Sequence, residues 1–159
     1  MVNPRQYFTG AVVYLRHATE EDIDFILQAS RDIHGKFGGV EFNEDTTLDT
    51  IYSFLDKEDF SESMMVVAFD ETGHKGVIAA MLSLTPFSTK VVATELLFWT
   101  DGSPKAFKAL HSAYRIWAEK AGANVIMISA PPTKEHVKYS KFYKNLGYEP
   151  FEYKFIGDI

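Results

Sequence analysis

Residues Phe142–Phe155, FYKNLGYEPFEYKF, decide the fold class of this chain. They predict the end of a helix, a forced stop and then a strand. Gly147 is the stop, because the residue just past a helix end often takes a positive φ that only glycine adopts cheaply. Aromatic residues favour a strand over Tyr148–Phe155, and Pro150 confines the start of that strand to a sheet edge or a bulge.

The composition indicates one globular domain over residues 1–159, with residues 1–10 as a loose arm. A chain of this length buries a full core without metals or disulfides. The absence of cysteine excludes a disulfide framework, a thiolate metal site and a cysteine nucleophile. No apolar run approaches the roughly 20 residues that span a bilayer, and the N-terminus lacks the apolar segment of a secretory signal. We therefore expect a cytoplasmic protein with no membrane partner.

The net charge of −6 hides a division along the chain. Residues 102–145 carry eight basic side chains against two acids, a net charge of +6, so the remainder carries −12. A locally basic segment in an acidic protein favours a small anionic ligand over a nucleic acid. The alternative is that lysines simply cover the solvent-facing sides of two helices.

The hydrophobic pattern predicts the order β-α-α-β-β-β-α-β-α-β. Strands are predicted at Val12–Arg16, Met64–Phe69, Gly76–Thr85, Val91–Trp99, Val125–Ile128 (a buried strand) and Tyr148–Phe155. Helices are predicted from Thr19 to about His34, where Gly35, Gly38 and Gly39 break the first one, from Thr46 or Thr47 to about Lys57, from Pro104 to about Ala121, and over about Lys134–Leu146. This order implies an α/β fold of the α+β type, with a mixed sheet of about six strands and helices on both faces.

Glu95 is the one acid in the otherwise apolar strand VVATELLFW, Val91–Trp99. A carboxylate there must face a cavity, a partner or solvent, because an unpaired buried charge is costly. Strand alternation predicts that Glu95 shares a face with Leu97 and Trp99. Glu95 is the best candidate for a catalytic group, and the alternative is an acid at a sheet edge or facing solvent.

Four segments together resemble the GNAT-type N-acetyltransferase superfamily. They are YLRHATEEDI from Tyr14, ELLFW from Glu95, AEKAGA from Ala118 and FYKNLGYEPFEYKF from Phe142. The last is the most specific, because F-Y-x-x-x-G-[FY] is a recurrent signature at that place in the family. The whole is also similar to compact phage-encoded members of the superfamily.

The resemblance implies a GNAT-like, mostly antiparallel sheet and transfer of an acetyl group from acetyl-coenzyme A to a primary amine. It implies that Glu95 takes the proton of the attacking amine, directly or through water. It also implies that Tyr143 protonates the leaving thiolate. The alternative for Tyr143 is a packing aromatic whose hydroxyl finds a backbone partner. The strand of Glu95 should separate from Val125–Ile128 to seat the pantetheine arm.

The pyrophosphate-binding loop departs from the family pattern. The family has [QR]-x-x-G-x-[GA] before the third helix, whereas Thr100–Leu110 reads TDGSPKAFKAL, which is shorter and has one glycine. Glycines there let backbone N–H groups approach a phosphate closely. Asp101 would repel an anion at this place, and Ser103 is more simply an N-cap. The cofactor-binding residues implied by the resemblance are Trp99, Ser103, Lys105, Ala106, Phe107 and Lys108.

The histidines and the acids of the segment Gly35–Asp45 bear on a metal site and on the acceptor site. The five histidines show no metal-ligand spacing, so we interpret them as structural or packing residues and expect no metal. The resemblance places the amine site around Gly35–Asp45, whose acids Glu41, Glu44 and Asp45 suit a cationic acceptor. A polyamine, an aminoglycoside, a lysine side chain and a protein N-terminus all stay open.

Two functions stay open as well. The first is an acetyl-coenzyme A-dependent N-acetyltransferase acting on a small-molecule or protein amine, with no nucleic-acid partner, as a monomer or homodimer. The second is a catalytically inactive GNAT-like fold that serves as a binding protein or a phage structural or host-interaction protein. The departure in the pyrophosphate loop and the surplus of aromatic residues in the tail are the sequence features that favour the second.

Overall fold

The computed structural model describes residues 12–37, 39–57, 59–85, 88–131, 133–152 and 156. The strands are β1 (Tyr14–His17), β2 (Ser63–Asp70), β3 (Gly73–Leu84), β4 (Val91–Thr100) and β5 (Val125–Met127). The helices are α1 (Ile23–Phe37), α2 (Glu44–Leu55), α3 (Pro104–Lys120) and α4 (His136–Asn145), and a single 3-10 turn, Glu20–Asp22, leads into α1. The predicted N-terminal arm, residues 1–10, lies outside the described residues. No helix in the described ranges is long and apolar enough to cross a membrane.

The five strands form one sheet in the order β1-β2-β3-β4-β5. All neighbours are antiparallel except β4 and β5, which are parallel. This confirms the predicted mixed, mostly antiparallel sheet with one strand fewer in the described part of the chain. Residues 148–152 of the predicted closing strand form no strand, and residues 153–155 lie outside the described residues. The prediction of Val125–Ile128 as a buried strand is wrong, because β5 lies at the edge of the sheet formed by the described residues and Val125 is exposed.

Both faces of the sheet are covered, which explains why β2 reads as a continuous apolar run. Its side chains alternate between two clusters. Met64 and Val66 pack with residues of α3, while Met65 and Val67 pack with residues of α1 and α2. A two-layer core of this kind fixes the orientation of β4, the strand that carries Glu95.

The boundaries of the first two helices differ from those predicted. Helix α1 continues through Gly35 to its end at Phe37 instead of stopping at about His34. A glycine inside a helix costs only about 1 kcal/mol, which the packing of α1 outweighs. Helix α2 begins at Glu44, ahead of the predicted start, because the Asn43 side chain accepts a hydrogen bond from the backbone N of Thr46 at 2.8 Å.

The stop predicted at Gly147 is confirmed. Gly147 follows α4 with φ of 86°, the left-handed conformation that glycine takes without strain. Its backbone N donates to the carbonyl of Lys144 at 3.0 Å, and the N of Tyr148 donates to the carbonyl of Tyr143 at 3.0 Å. These bonds satisfy carbonyls at the end of the helix, so the chain turns sharply after α4.

A buried carboxylate joins the start of α1 to two strands. Asp22 is 0% exposed and accepts hydrogen bonds from Arg16 at 2.6 and 2.9 Å and from the backbone N of Thr19 at 2.8 Å. The Nε2 atom of His74 lies 2.7 Å from Oδ1 of Asp22. Burial alone would raise the pKa of Asp22, but the bonds from Arg16, Thr19 and His74 outweigh it and lower the pKa from 3.8 to about 2.

Asp22 should therefore make the fold acid-sensitive. Because its pKa is lower in the folded than in the unfolded chain, the stabilisation is present above pH of about 4 and is lost as the pH falls toward about 2. The shift corresponds to about 2 kcal/mol. Asp22→Asn should lower the free energy of unfolding by about 3 kcal/mol at neutral pH, since it leaves Arg16 without its partner.

Urea unfolding from neutral pH down to the acid limb measures both effects. Asp24→Asn is the matched control, because Asp24 lies in the same helical turn but is exposed. The Asp22 variant should show a flatter dependence of stability on acid pH than the wild type. Equal acid dependence in the wild type and Asp22→Asn would contradict this account.

Candidate active site

The candidate site begins where β4 and β5 separate. The parallel ladder has three pairs, from Val92–Val125 to Thr94–Met127. Beyond it, β4 continues to Thr100, whereas β5 ends at Met127. The opening predicted between these strands is therefore present, and it starts at Glu95, the residue after the last paired one, Thr94.

Tyr114 of α3 holds the base of this opening. The residue is fully buried, and its hydroxyl oxygen lies 2.8 Å from the carbonyl oxygen of Ala93 and 2.7 Å from that of Met127. The single hydroxyl proton can serve one of these carbonyls at a time. Because the two carbonyls belong to β4 and β5, the side chain fixes both strands at the point where they diverge.

A β-bulge turns Glu95 toward the opening. Ala80 pairs with Glu95 and Ala79 pairs with Leu97, so Leu96 has no partner on β3. The extra residue reverses the side-chain alternation. Ala80 belongs to the cluster under α3, whereas Ala79 and Leu97 belong to the cluster under α1 and α2. The prediction that Glu95 shares a face with Leu97 and Trp99 is therefore wrong.

Glu95 and Tyr143 both bind the backbone of Ser129, just beyond the end of β5. The N–H of Ser129 donates to Oε2 of Glu95 at 2.8 Å, and the hydroxyl of Tyr143 donates to the carbonyl of Ser129 at 3.3 Å. Tyr143 is 7% exposed. The carboxylate on β4 and the phenol on α4 are thus held on either side of one peptide segment.

Both side chains line a cavity of about 320 Å³ at the opening. Most of its wall is apolar or aromatic, and it is reached from α1, β4, α3 and α4. Its lining residues are Ile33, His34, Glu95, Leu96, Phe98, Thr100, Phe107, Ser129, Pro131, Tyr139 and Tyr143. An acid, a phenol and an apolar wall in one cavity are suited to proton transfer at a partly desolvated reacting centre.

The surroundings raise the pKa of both groups, which makes Glu95 a stronger base and Tyr143 a weaker acid than the free side chains. Burial raises the pKa of Glu95, and the hydrogen bonds from Ser129 only partly oppose it. Burial, together with the nearby charge of Glu95, raises the pKa of Tyr143 well above its usual range. A carboxylate with a raised pKa is a stronger base, and the phenol keeps its proton at neutral pH.

At the start of α3, the predicted anion site, backbone N–H groups already donate hydrogen bonds to oxygen atoms of Asp101 and Ser103. Ser103 Oγ accepts from the N of Ala106 at 3.2 Å, and the N of Phe107 donates to the carbonyl of Ser103 at 3.0 Å. Asp101 Oδ1 accepts from the N of Ser103 at 3.0 Å, and Lys75 Nζ lies 3.1 Å from the other oxygen of Asp101. Ser103 is thus an N-cap, and the carboxylate of Asp101 is partly compensated.

The other predicted cofactor residues lie in three different places. Phe107 lines the cavity. Lys105 and Lys108 are exposed on α3. Trp99 lies on the opposite face of the sheet, where its ring packs edge-on against Phe25 with centroids 5.7 Å apart, and its side chain is not among the described cavity-lining residues.

Tyr139, Ser129 and His34 are among the residues of the cavity wall that sequence reasoning missed. Tyr139 precedes Tyr143 by one helical turn, a spacing that places both on one face of α4 and could have identified it. Ser129 contributes through its backbone, so its side chain gave no signal. His34, interpreted as structural, lines the cavity, and its Nε2 atom is buried with no hydrogen-bond partner among the described residues.

The other histidines fit the structural interpretation where the structure describes them. His111 is buried in α3, and its Nε2 lies 2.9 Å from the hydroxyl of Tyr148. His74 binds Asp22, and the ring of His17 stacks on Phe60 with centroids 3.5 Å apart. Within the described ranges, no three His, Asp or Glu side chains are grouped so that they could hold a metal ion.

Solved structures share this arrangement of strands and helices. An aminoglycoside N-acetyltransferase, AAC(6')-Iy, in complex with CoA matches with a TM-score of 0.71 at 14% identity, over 99% of this chain and 99% of that chain. A transcriptional regulator from Bacillus halodurans matches with a TM-score of 0.70 at 14% identity, over 93% and 100%. An aminoglycoside acetyltransferase from an uncultured soil metagenomic sample, in complex with sisomicin, matches with a TM-score of 0.63 at 14% identity, over 92% and 96%.

The sequence comparisons give no match. No protein-family model matches the chain, and no curated protein matches it. The structural likeness covers almost the whole chain and includes acetyltransferases that bind CoA or an aminoglycoside. The chain therefore has the GNAT fold predicted from the sequence.

Proposed function

We propose that this protein is an acetyl-coenzyme A-dependent N-acetyltransferase that acts on a primary amine. The observation that carries the proposal is the meeting of Glu95 and Tyr143 at Ser129, inside the cavity where β4 and β5 separate. A base and an acid are both present there, and amine acetylation by a thioester needs one of each. The CoA complex of a protein with this fold supports the choice of donor.

Glu95 acts first in the proposed reaction, by taking a proton from the ammonium form of the acceptor, directly or through a water molecule. The freed nitrogen lone pair attacks the thioester carbonyl carbon, and a C–N bond forms. The C–S bond then breaks, and Tyr143 gives its hydroxyl proton to the departing sulfur. The nitrogen loses its second proton to solvent, Glu95 releases its proton to solvent, and the Tyr143 phenolate regains a proton from solvent. The products are an amide and a free thiol, with one proton released overall.

Three parts of the protein are available to bind the donor. Beyond Thr94, the edge of β4 faces the opening with no strand paired to it in the described residues, so its backbone can hydrogen-bond the amides of a pantetheine arm. Phe107 supplies apolar contact in the cavity. Lys105 and Lys108, exposed on α3, supply positive charge for the phosphates.

Thermal unfolding with acetyl-coenzyme A tests the donor directly. Ligand at 100 times its Kd should stabilise the fold by about 2.7 kcal/mol, which raises the melting temperature by several degrees. Desulfo-coenzyme A is a suitable control ligand, since it keeps the phosphates and pantetheine but cannot carry an acetyl group. An unchanged melting temperature at millimolar acetyl-coenzyme A would contradict the proposal.

A second candidate function, that of a non-catalytic binding protein, rests on the backbone N–H groups at the start of α3, which are already hydrogen-bonded within the chain. The N–H groups of Ala106 and Phe107 already bind Ser103, and the carboxylate of Asp101 lies beside them. A pyrophosphate must compete with these groups, which favours a non-catalytic binding protein. Absence of acetyl-coenzyme A binding would make this second candidate, including a phage structural or host-interaction role, the better one.

A further inference from the structure

We propose that the acceptor is a primary monoamine with a small apolar or aromatic body, and that the site discriminates against polycations. This inference rests on the proposed acetyltransferase function and concerns the acceptor side of the same cavity. It follows from the charges on the cavity wall, the pairing of the nearby acids and the shape of the apolar lining.

In the described part of the chain, the cavity wall offers counter-charge for one cation only. Among its described lining residues, Glu95 is the single acid, and none of the others can carry a negative charge at neutral pH. His34 adds no negative charge to the cavity wall. An ammonium group taken from water without a counter-charge costs several kcal/mol. Glu95 can pair with one amino group, and the described lining residues hold no further acid for a second amino group.

The acids near the end of α1 do not provide the missing charge. Glu44 pairs with Arg31 at 2.6 Å, and the guanidinium of Arg31 also lies over the ring of Phe42, 5.0 Å from its centroid. Glu41 and Asp45 are exposed, and none of these three acids lines the cavity. The expectation that they suit a cationic acceptor therefore loses its support.

The remaining wall suits an apolar body. Ile33 from α1 and Leu96 and Phe98 from β4 line the cavity, with Pro131 beyond β5. The volume of about 320 Å³ has to hold the thioester end of the donor as well as the acceptor. That leaves room for a short chain or a single ring beside the reacting nitrogen.

Two amines that differ by one ammonium group test this inference. We expect kcat/KM for hexylamine, at saturating acetyl-coenzyme A, to exceed that for hexamethylenediamine by at least about tenfold. Phenethylamine should be accepted like hexylamine, and kanamycin should be poorer than either. The assay follows free thiol release and is repeated by mass detection of the acetylated amine.

A charge placed on the wall should reverse the preference. Leu96 is 48% exposed, so Leu96→Glu can be tolerated by the fold while it adds a second acid to the cavity. We expect this variant to raise the ratio of diamine to monoamine kcat/KM by about tenfold. Leu84→Glu is the control, because Leu84 is 73% exposed on the adjacent β3 and does not line the cavity. Its ratio should equal that of the wild type.

The outcomes separate this inference from the function on which it rests. Faster acetylation of kanamycin or the diamine than of hexylamine would overturn the monoamine inference and leave the acetyltransferase intact. An unchanged ratio in Leu96→Glu would also overturn it. Acetyl-coenzyme A that neither binds nor acetylates any amine in the set would overturn the proposed function itself.

Discussion

Tyr143→Phe should lower kcat by about 10²–10⁴-fold, the usual contribution of a general acid, with little change in acetyl-coenzyme A affinity. The phenylalanine ring keeps the packing of Tyr143 against Phe107 and Tyr139. Only the hydroxyl that donates to the Ser129 carbonyl is removed. The measurement is steady-state thiol release at saturating amine, together with a calorimetric titration of the donor.

Tyr139→Phe is the matched control for this variant. Tyr139 lies on the same helix, lines the same cavity and stacks on Tyr143 with ring centroids 6.3 Å apart. Removal of its hydroxyl should cost far less than removal of the Tyr143 hydroxyl. Equal losses in the two variants would mean that Tyr143 is a packing aromatic and that the sulfur takes its proton from another group.

Glu95→Gln should have the second large effect, and its clearest sign is the pH dependence. Glu95 acts as a base only when ionised, and its raised pKa places the acidic limb of the wild-type profile above the ordinary glutamate range. In the variant the amine must lose its proton to solvent before it binds, so the activity optimum should move to higher pH. At neutral pH we expect a loss of about 10²–10⁴-fold.

Structure retention has to be verified for this variant because the side chain also binds Ser129. Glutamine keeps an oxygen that can accept the Ser129 N–H bond. Its melting temperature should therefore stay close to that of the wild type, and Glu119→Gln, an exposed change on α3, serves as the control. A wild-type pH profile in Glu95→Gln would show that the base lies elsewhere.

The elements of the fold could be predicted because local patterns decide them. The apolar stripe of α3, its Ser103 cap and Pro104 start agree with the observed helix. Gly147 takes the positive φ that its place after α4 required. The resemblance then implied a mixed, mostly antiparallel sheet, which propensity alone does not specify, and the structure confirms this kind of sheet over the described residues.

The orientation of Glu95 could not be predicted from strand alternation. The bulge at Leu96 leaves no mark in the run VVATELLFW, which contains neither the glycine nor the proline that often signals a bulge. It depends on the pairing of β4 with β3, which is a tertiary property. The same limit applies to Ser129, because a backbone N–H and carbonyl are present at every position and only the fold selects one.

The strength of the anion site was only partly predictable. The missing glycines in Thr100–Leu110 indicated a weaker site. They did not reveal that the carboxylate of Asp101 accepts a hydrogen bond from the backbone N of Ser103 and also pairs with Lys75 of β3. That arrangement depends on a residue 26 positions earlier in the chain.

Mass-spectrometric detection of an acetylated amine tests the central claim most directly. Wild-type protein, acetyl-coenzyme A and hexylamine should give a product heavier by one acetyl group, together with an equal amount of free thiol. The doubly substituted protein Glu95→Gln, Tyr143→Phe should still bind acetyl-coenzyme A and give product only at the rate of the uncatalysed reaction. Product formation by the double variant at the wild-type rate, or donor binding by the wild type with no acetylated amine from any acceptor, would contradict the account.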